Sequence, residues 1–315
     1  MFKSDWRTRR VAGIGIVGLD HVAVTDRWER DMKSTATRYF EQVGGPVPVA
    51  LMAMARLGLD EPPLFVGNIG EDTAGDEVLN VLQECGVSSE FTRARAGHRT
   101  PHLLVVLDTS DSTRALANFP GTLSEEPILS PWTPFSDTGL MHTDGRETRW
   151  ALRIRENLRG MLSLDLGSSR PTHRDLLPSC DIIIASKVGG AGTFPDYADD
   201  PIEQTNRFLE LGATVAGVTL GADGVVIGCR DENGGDPVHV PAFKVENVVD
   251  TCGAGDLFHG AFLWAYREGK TVIESATFAQ AAVALRIQHY GNVAGQPTRE
   301  QVEAFLATHG GFTHR

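Results

Sequence analysis

The chain has 315 residues, 41% of them hydrophobic and 22% charged, with a formal net charge of −12. That balance supports a packed core in one large α/β domain, or in one domain with a small appendage, and carries no compositional sign of disorder. The acidic surplus argues against nucleic acid or an anionic membrane as main partner, because both call for a basic surface.

The stretch from Met1 to Arg10 is polar and basic with no apolar run behind it, and no segment reaches the roughly 20 apolar residues of a membrane span. A cytoplasmic protein is expected. Apolar runs that read as buried strands then follow at Val11 to Gly18, Leu64 to Gly67, Met161 to Leu166, Asp181 to Ala185 and Thr214 to Leu220. Between them lie helical patterns at Val47 to Leu57, Gly75 to Glu84, Glu147 to Leu158 and Pro201 to Leu211. Gly58, Gly86 and Gly212 stand where three of these helices should stop. Such alternation predicts a mostly parallel sheet covered by helices on both faces, an α/β three-layer sandwich.

Two segments break the pattern, at about residues 20–43 and about 100–119. Both are extended and partly alternating, and Thr109 to Ser112 reads as a hairpin turn. They predict a small β-sheet lid attached to a single domain spanning 1–315. The four cysteines, Cys85, Cys180, Cys229 and Cys252, show no metal-ligand spacing and are expected as free thiols. His98 and His102 are separated by Pro101, which breaks the helix that would aim both rings at one metal, so no transition-metal site is expected. Trp28, Trp132, Trp150 and Trp264 are read as core or lid contacts, and His259 as packing near the chemistry.

The most informative run is Val249 to Phe262, VDTCGAGDLFHGAF. From Leu257 onward its apolar residues fall on one helical face, with the helix ending near Gly269. Gly253, Ala254 and Gly255 therefore sit at a helix N-terminus, where free N–H groups and the helix dipole favour an anion. Asp256 lies beside that anion site in the first turn. A carboxylate next to an amide pocket suits phosphoryl transfer: it takes a hydroxyl proton while the amides stabilise charge on the moving phosphoryl group.

This run resembles the C-terminal signature of the ribokinase family, the phosphofructokinase-B type of carbohydrate kinase. Gly44-Gly45, Ala53 to Gly58 and Gly67 to Gly75 resemble the family's N-terminal signature, and Thr219 to Gly224 its nucleotide-loop motif. The resemblance covers nearly the whole chain and implies a ribokinase-like fold and ATP-dependent phosphorylation of a small sugar or polyol. It implies Asp256 as base, with Gly253, Ala254 and Gly255 as anion hole. Thr251, Thr219, Gly221, Gly224 and Lys187 would serve ATP·Mg²⁺, and adenine would pack near Ala281 and Ala282. Asp250 matches the position that helps bind a monovalent cation, potassium being the candidate. Asp20, Gly44 and Gly45 would meet the sugar, and a homodimer through the lid sheet is implied.

The sequence also departs from the family. Val49 stands where many sugar kinases carry a sugar-binding asparagine, and Ser186-Lys187-Val188-Gly189 replaces the usual N-x-x-E motif. His142 to Arg146 with Ser186-Lys187 resemble ketohexokinase, whereas the Gly-Gly-Pro loop and Pro241 to Val245 resemble sulfofructose kinase. In the latter subgroup a lysine and a lid asparagine hold the anionic tail, and Lys33 and Asn118 fall at comparable places. Asp144, where that subgroup uses arginine, suits a neutral hydroxyl better. The resemblance thus points to a ketose or similar polyol, with a sulfofructose-like or nucleoside kinase as alternatives. Trp28 and Phe40 keep the nucleoside reading open. Val49 and Gly189 keep open a non-catalytic sugar-binding protein on a kinase fold.

Overall fold

In the structure, a computed structural model, residues 5–111, 113–123, 135 and 137–310 are described. Nine strands form the main sheet, in the spatial order β13-β12-β11-β10-β9-β8-β1-β4-β5. They are β1 (Arg10–Ile14), β4 (Leu64–Gly70), β5 (Ser88–Arg95), β8 (Thr138–Thr143), β9 (Met161–Leu166), β10 (Ile182–Ser186), β11 (Val215–Thr219), β12 (Val225–Cys229) and β13 (Val238–Val240). Pairing is parallel from β5 through β11 and antiparallel only at β11–β12 and β12–β13.

Alternate residues of one strand serve opposite layers. In β10, Ile182 and Ile184 pack into the core beneath α1 (Pro46–Leu57), α7 (Ala254–Arg267) and α8 (Val272–Arg286). Ile183 and Ala185 pack into the opposite core, with α3 (Thr148–Arg155) and α6 (Pro201–Glu210). A strand buried on both faces reads as an unbroken apolar run, which is why the sequence lacks alternation there. The α7 helix fits so closely on α1 that a Cβ at Gly260 would meet the Ala50 carbonyl at 2.4 Å. Its Phe262 is fully buried, and truncation to alanine would cost about 3–5 kcal/mol.

The expected first strand is shorter than Val11 to Gly18. It ends at Ile14, and Gly18 already begins β2 (Gly18–Thr25) of a second sheet. The reason lies between them: Ile16 N–H donates to the Asp144 carboxylate at 3.0 Å, turning the chain out of the main sheet. The second sheet also contains β3 (Ala36–Gly44), β6 (His102–Asp108) and β7 (Thr113–Phe119), in the order β3-β2-β6-β7. The helix expected over Glu147 to Leu158 runs from Thr148 to Arg155 with Glu147 as its N-cap. Trp264 and Trp150 are buried, Trp28 is partly exposed, and Trp132 and Ser112 lie outside the described residues.

The remaining helices are α2 (Thr73–Glu84), α4 (His173–Leu176), α5 (Lys187–Thr193) and α9 (Arg299–His309). The C-terminal ends of β1, β8, β9 and β10 and the N-terminus of α7 open towards the small sheet. In open α/β sheets ligands bind at that end of the strands.

Candidate active site

The site is organised by the loop that enters α7. Gly253 takes a left-handed conformation with φ of 74°, and a Cβ there would meet Asn292 Oδ1 at 2.3 Å, so the position accepts only glycine. Ala254 N–H turns back to Thr251 O at 3.3 Å. The N–H groups of Gly255 and Asp256 lie in the first helical turn, where they have no intrahelical acceptor and stand at the positive end of the helix dipole.

Asp256 shares this end of the cleft with a second carboxylate. Burial raises the Asp256 pKa to about 7, with the nearby Asp165 adding to the rise and Arg286 and Arg114 opposing it. Asp165, on β9, is likewise raised to about 7 by burial and by Asp144. The two titrate as a pair. His259, one helical turn beyond Asp256, brings Nε2 to 3.3 Å from Asp165 Oδ1. Burial holds the His259 pKa down to about 3, so a neutral imidazole makes this contact. His142, fully buried on β8, joins them, and His142, Asp165 and His259 bring one donor atom each within 4.8 Å of one another.

Asp144 has another task. Its Oδ2 accepts from Ile16 N–H and its Oδ1 from Arg146 N–H at 2.9 Å. Both oxygens are committed to backbone, which corrects its reading as a reader of substrate hydroxyls.

The end of the cleft expected to meet the sugar is formed by the small sheet, the expected lid. One row of facing residues crosses all four strands: Gln42 pairs with Asp20, Asp20 with Leu103, and Leu103 with Asn118. This row puts Asp20 and Asn118 on one lid face. Burial raises the Asp20 pKa to about 7; the Gln42 amide opposes the rise and the Asp256 charge adds to it. The Asp256 charge thus reaches Asp20. Gly44 lies against Asp20, where a Cβ would meet Oδ1 at 2.2 Å, and Gly45 caps α1. Lys33 is exposed on the loop between β2 and β3 and stands outside this row.

Val49 is buried in α1, so the expected asparagine position contributes packing here. The missing N-x-x-E motif has a steric counterpart: Gly189, in α5, sits where a Cβ would meet the Leu166 carbonyl at 1.8 Å.

At the end expected to hold the nucleotide, Thr219 ends β11 and donates from Oγ1 to Ala185 O at 3.3 Å. Gly221 and Gly224 shape the following turn, closed by Leu220 N–H on Gly224 O at 2.7 Å. Lys187 lies across from this turn, 3.6 Å from Asp223 Oδ2, with both side chains largely exposed. Ala281 and Ala282 are fully buried in the core layer, which corrects the expected adenine contact: neither offers surface to a ligand. Partly exposed Val283 is the neighbour on α8 that does.

Thr251 accepts on Oγ1 from Arg114 Nη1 at 2.7 Å, a contact from the lid to the anion-hole loop. A cavity of about 220 Å³ lies there, lined in part by Leu107, Arg114, Asp250, Thr251 and Tyr290. Asp250 itself is buried, and its carbonyl and its carboxylate both accept from Arg286. Arg114, Asp165, Arg286, Asn292 and Gln42 were not singled out by the sequence. Each is an isolated polar residue in an ordinary strand, helix or loop, with partners far away along the chain.

The model of the pfkB family of carbohydrate kinases matches residues 8–299. Ribokinase of Lactococcus lactis is 27% identical, over 94% of this chain and 97% of its own length. Aminoimidazole riboside kinase of Salmonella typhimurium is 29% identical, over 86% of this chain and 90% of its own length. Among solved structures, a putative ribokinase from Agrobacterium tumefaciens superposes with a TM-score of 0.85 at 23% identity, covering 95% of this chain and 98% of that one. Arabidopsis thaliana ribokinase complexed with ribose and ATP gives 0.78 at 24% identity, covering 95% and 99%.

Proposed function

Because the chain belongs to the pfkB family of carbohydrate kinases, we propose that it transfers the γ-phosphoryl group of ATP to a hydroxyl of a neutral polyol, a ketose by preference, with Asp256 as the base. The class is that of an ATP-dependent sugar kinase with a ribokinase-like fold. The observation that carries the finer reading is the chain of contacts that links Asp20 on the lid through Gln42 and Asn292 to Gly253, the residue from which the helix bearing Asp256 starts.

A substrate hydroxyl held by Asp20 lies between the two. Its proton passes to the Asp256 carboxylate as its oxygen bonds to the γ-phosphorus, and the bond to the β-phosphate oxygen breaks to release ADP. The N–H groups of Gly255 and Asp256 receive the charge on the moving phosphoryl group. Thr251 and the turn at Gly221 to Gly224, with Lys187 beside it, line the nucleotide side.

Magnesium fits this donor set. Burial raises both Asp256 and Asp165, and the Asp165 charge adds to the rise at Asp256, so these two carboxylates would accept a hard dication arriving on the phosphate oxygens of ATP. Held there, the ion would neutralise phosphate charge.

The lid row Gln42, Asp20, Leu103 and Asn118 holds no cationic side chain, and Lys33 stands apart from it. A carboxylate with two amides reads hydroxyls well and repels a sulfonate. A nucleoside is the second reading, favoured by Phe40, which packs 6.2 Å from Tyr290 on the cleft side of the lid.

A homodimer through the outer lid face belongs to the same reading. That face exposes Tyr39, Leu104 and Phe119 beside a His21–His102 contact of 2.9 Å. Among the described residues no helix is long and apolar enough to cross a membrane.

The deciding experiment is coupled ADP release against ketoses, aldoses, sugar acids, sulfofructose, inositols and nucleosides, with Asp256→Asn as control. Release with a ketose or polyol that drops about 10²–10⁴-fold in the control is the expected result. Near-normal turnover in Asp256→Asn would remove Asp256 as base, and release only with an anionic sugar would overturn the neutral-polyol reading.

A further inference from the structure

The anion-hole loop is organised around a buried guanidinium. Arg286, at the end of α8, is 1% exposed, and its partner Asp250 is 2% exposed. Its Nη1 donates to the Asp250 carbonyl. Its Nη2 lies 3.3 Å from Asp250 Oδ2 and 3.2 Å from Asn292 Oδ1. One cation therefore collects a main-chain carbonyl, a carboxylate and an amide oxygen from two loops, the all-oxygen environment that would otherwise suit a hard monovalent ion.

The surrounding hydrogen bonds show what it holds. Asp250 Oδ1 accepts from Cys252 N–H at 2.8 Å, and Oδ2 accepts from Gly291 N–H at 3.1 Å. Val249 N–H and Asp250 N–H both donate to Ile287 O, at 2.8 and 3.2 Å. Asn292 presses against Gly253, the left-handed residue from which α7 starts. The same Asn292 donates from Nδ2 to Val43 O at 3.1 Å and from its backbone N–H to Gln42 Oε1 at 2.7 Å, and Gln42 reaches Asp20. A single network runs from Arg286 through Asn292, which packs against the glycine of the anion hole, and Gln42 to the sugar-reading carboxylate.

We propose that the Arg286 guanidinium takes the place of the monovalent cation expected at Asp250, so that the anion hole is set by a tethered charge and phosphoryl transfer is independent of potassium. The proposal rests on the reading of the α7 N-terminus, Gly253 to Asp256, as anion hole. The fit of a free ion fails on the observed contacts: the carbonyl and carboxylate oxygens it would use already bind Arg286, and a second cation in that buried place would meet the guanidinium charge. A fixed side chain also costs no ion-binding step before catalysis, as preorganised charge does in general. Arg286 is a positioning residue: it acts through Asp250, Asn292 and Gly253, and it lies close enough to oppose the rise in the Asp256 pKa.

The test begins with the protein as it is. Its melting temperature and its sugar-dependent kcat are measured in potassium, sodium and tetramethylammonium chlorides at equal ionic strength. Both are expected to be the same in all three salts. Activation of about fivefold or more by potassium over tetramethylammonium, or a melting temperature raised by potassium alone, overturns the proposal.

The second arm uses Arg286→Ala, with Arg286→Lys as the charge-conserving variant. Arg286→Ala is expected to lose about tenfold or more in kcat and to regain activity and melting temperature with millimolar guanidinium or potassium but not tetramethylammonium. A folded Arg286→Ala that keeps wild-type kcat without added cation, or a loss that no small cation restores, counts against a tethered cation. If that variant does not fold, the salt comparison on the unmodified protein decides. A protein that melts independently of salt yet turns over no sugar speaks against the kinase reading and leaves cation independence supported.

Discussion

Arg114 Nη1 on the lid strand β7 donates to Thr251 Oγ1 at 2.7 Å on the anion-hole loop. This bond spans the cleft and puts a permanent cation beside the proposed path of the phosphoryl group. Replacing Arg114 by Met keeps much of the stem and removes the charge. The expected result is a loss of about tenfold in kcat/KM, the size of one hydrogen bond to a charged group. It should come with an acid limb moved to higher pH, since Arg114 opposes the rise in the Asp256 pKa. Steady-state rates across a pH series check both, and an unchanged profile would place Arg114 outside the reaction.

The Asp165–Asp256 pair makes a prediction of opposite sign. Asp256 accepts a proton only when ionised, and its pKa is raised to about 7. Rates should therefore fall as pH drops below about 7 and level off above it. Asp165→Asn removes a neighbouring negative charge while keeping a group that can bond His259. The Asp256 pKa then falls, and the midpoint of the acid limb should move down by about one pH unit. Movement upward, or none, would show that Asp165 does not set the base.

The same pair bears on stability. A carboxylate whose pKa is raised on folding binds its proton more tightly in the folded state. Its contribution is complete below the ordinary carboxylate pKa of about 4 and is lost as pH rises through the folded value of about 7. At pH 8.5 the buried pair is charged and repulsive. Asp165→Asn should then melt at higher temperature than the wild type, and the advantage should shrink towards pH 5. Calorimetry at the two pH values reads this directly. A gain in stability with a loss in rate control is what a site that stores like charge predicts.

What could be read from the sequence follows from how local each signal is. The run from Val249 to Phe262 contains the turn, the helix start and the carboxylate proposed as base within one continuous stretch, so its geometry is written in its order. The alternation of apolar runs with helical patterns likewise specifies a parallel sheet with two helical layers. Gln42 and Asn292 lie 250 positions apart and meet only after the lid and the α8 loop are placed, so neither advertises its role. Arg286 looks like any helix-ending arginine, and only its burial beside Asp250 gives it away. Ala282 misled for the complementary reason: small residues suit both a ligand face and a tightly packed core, and here α8 turns that face inward. Asp144 misled because a carboxylate after a strand can cap backbone as readily as it can read a hydroxyl.

The last prediction concerns the closeness of Gly44 to Asp20. A Cβ at position 44 would stand 2.2 Å from Oδ1 and 2.3 Å from Oδ2, far inside any real contact. The φ of Gly44 is not in the left-handed region, so Gly44→Ala imposes no backbone strain and acts through this contact alone. The carboxylate must move, and its tie to Gln42, already long at 3.4 Å, must break. Losing that donor removes the one hydrogen bond that opposes the rise in the Asp20 pKa, so more of Asp20 is protonated at neutral pH. A protonated Asp20 accepts fewer hydroxyl hydrogen bonds, and a displaced one misplaces the substrate by a fraction of its own width. The expected outcome is a KM for the sugar raised about tenfold to a hundredfold, with the KM for ATP nearly unchanged, because the turn at Gly221 to Gly224 is remote from the lid row. Gln42→Leu should reproduce the weaker part of this effect, larger at pH 7 than at pH 8.5, where Asp20 ionises even without its donor. Equal losses for sugar and ATP in Gly44→Ala would mean that the substitution disturbs the whole cleft, and that Asp20 is not the sugar's specific partner.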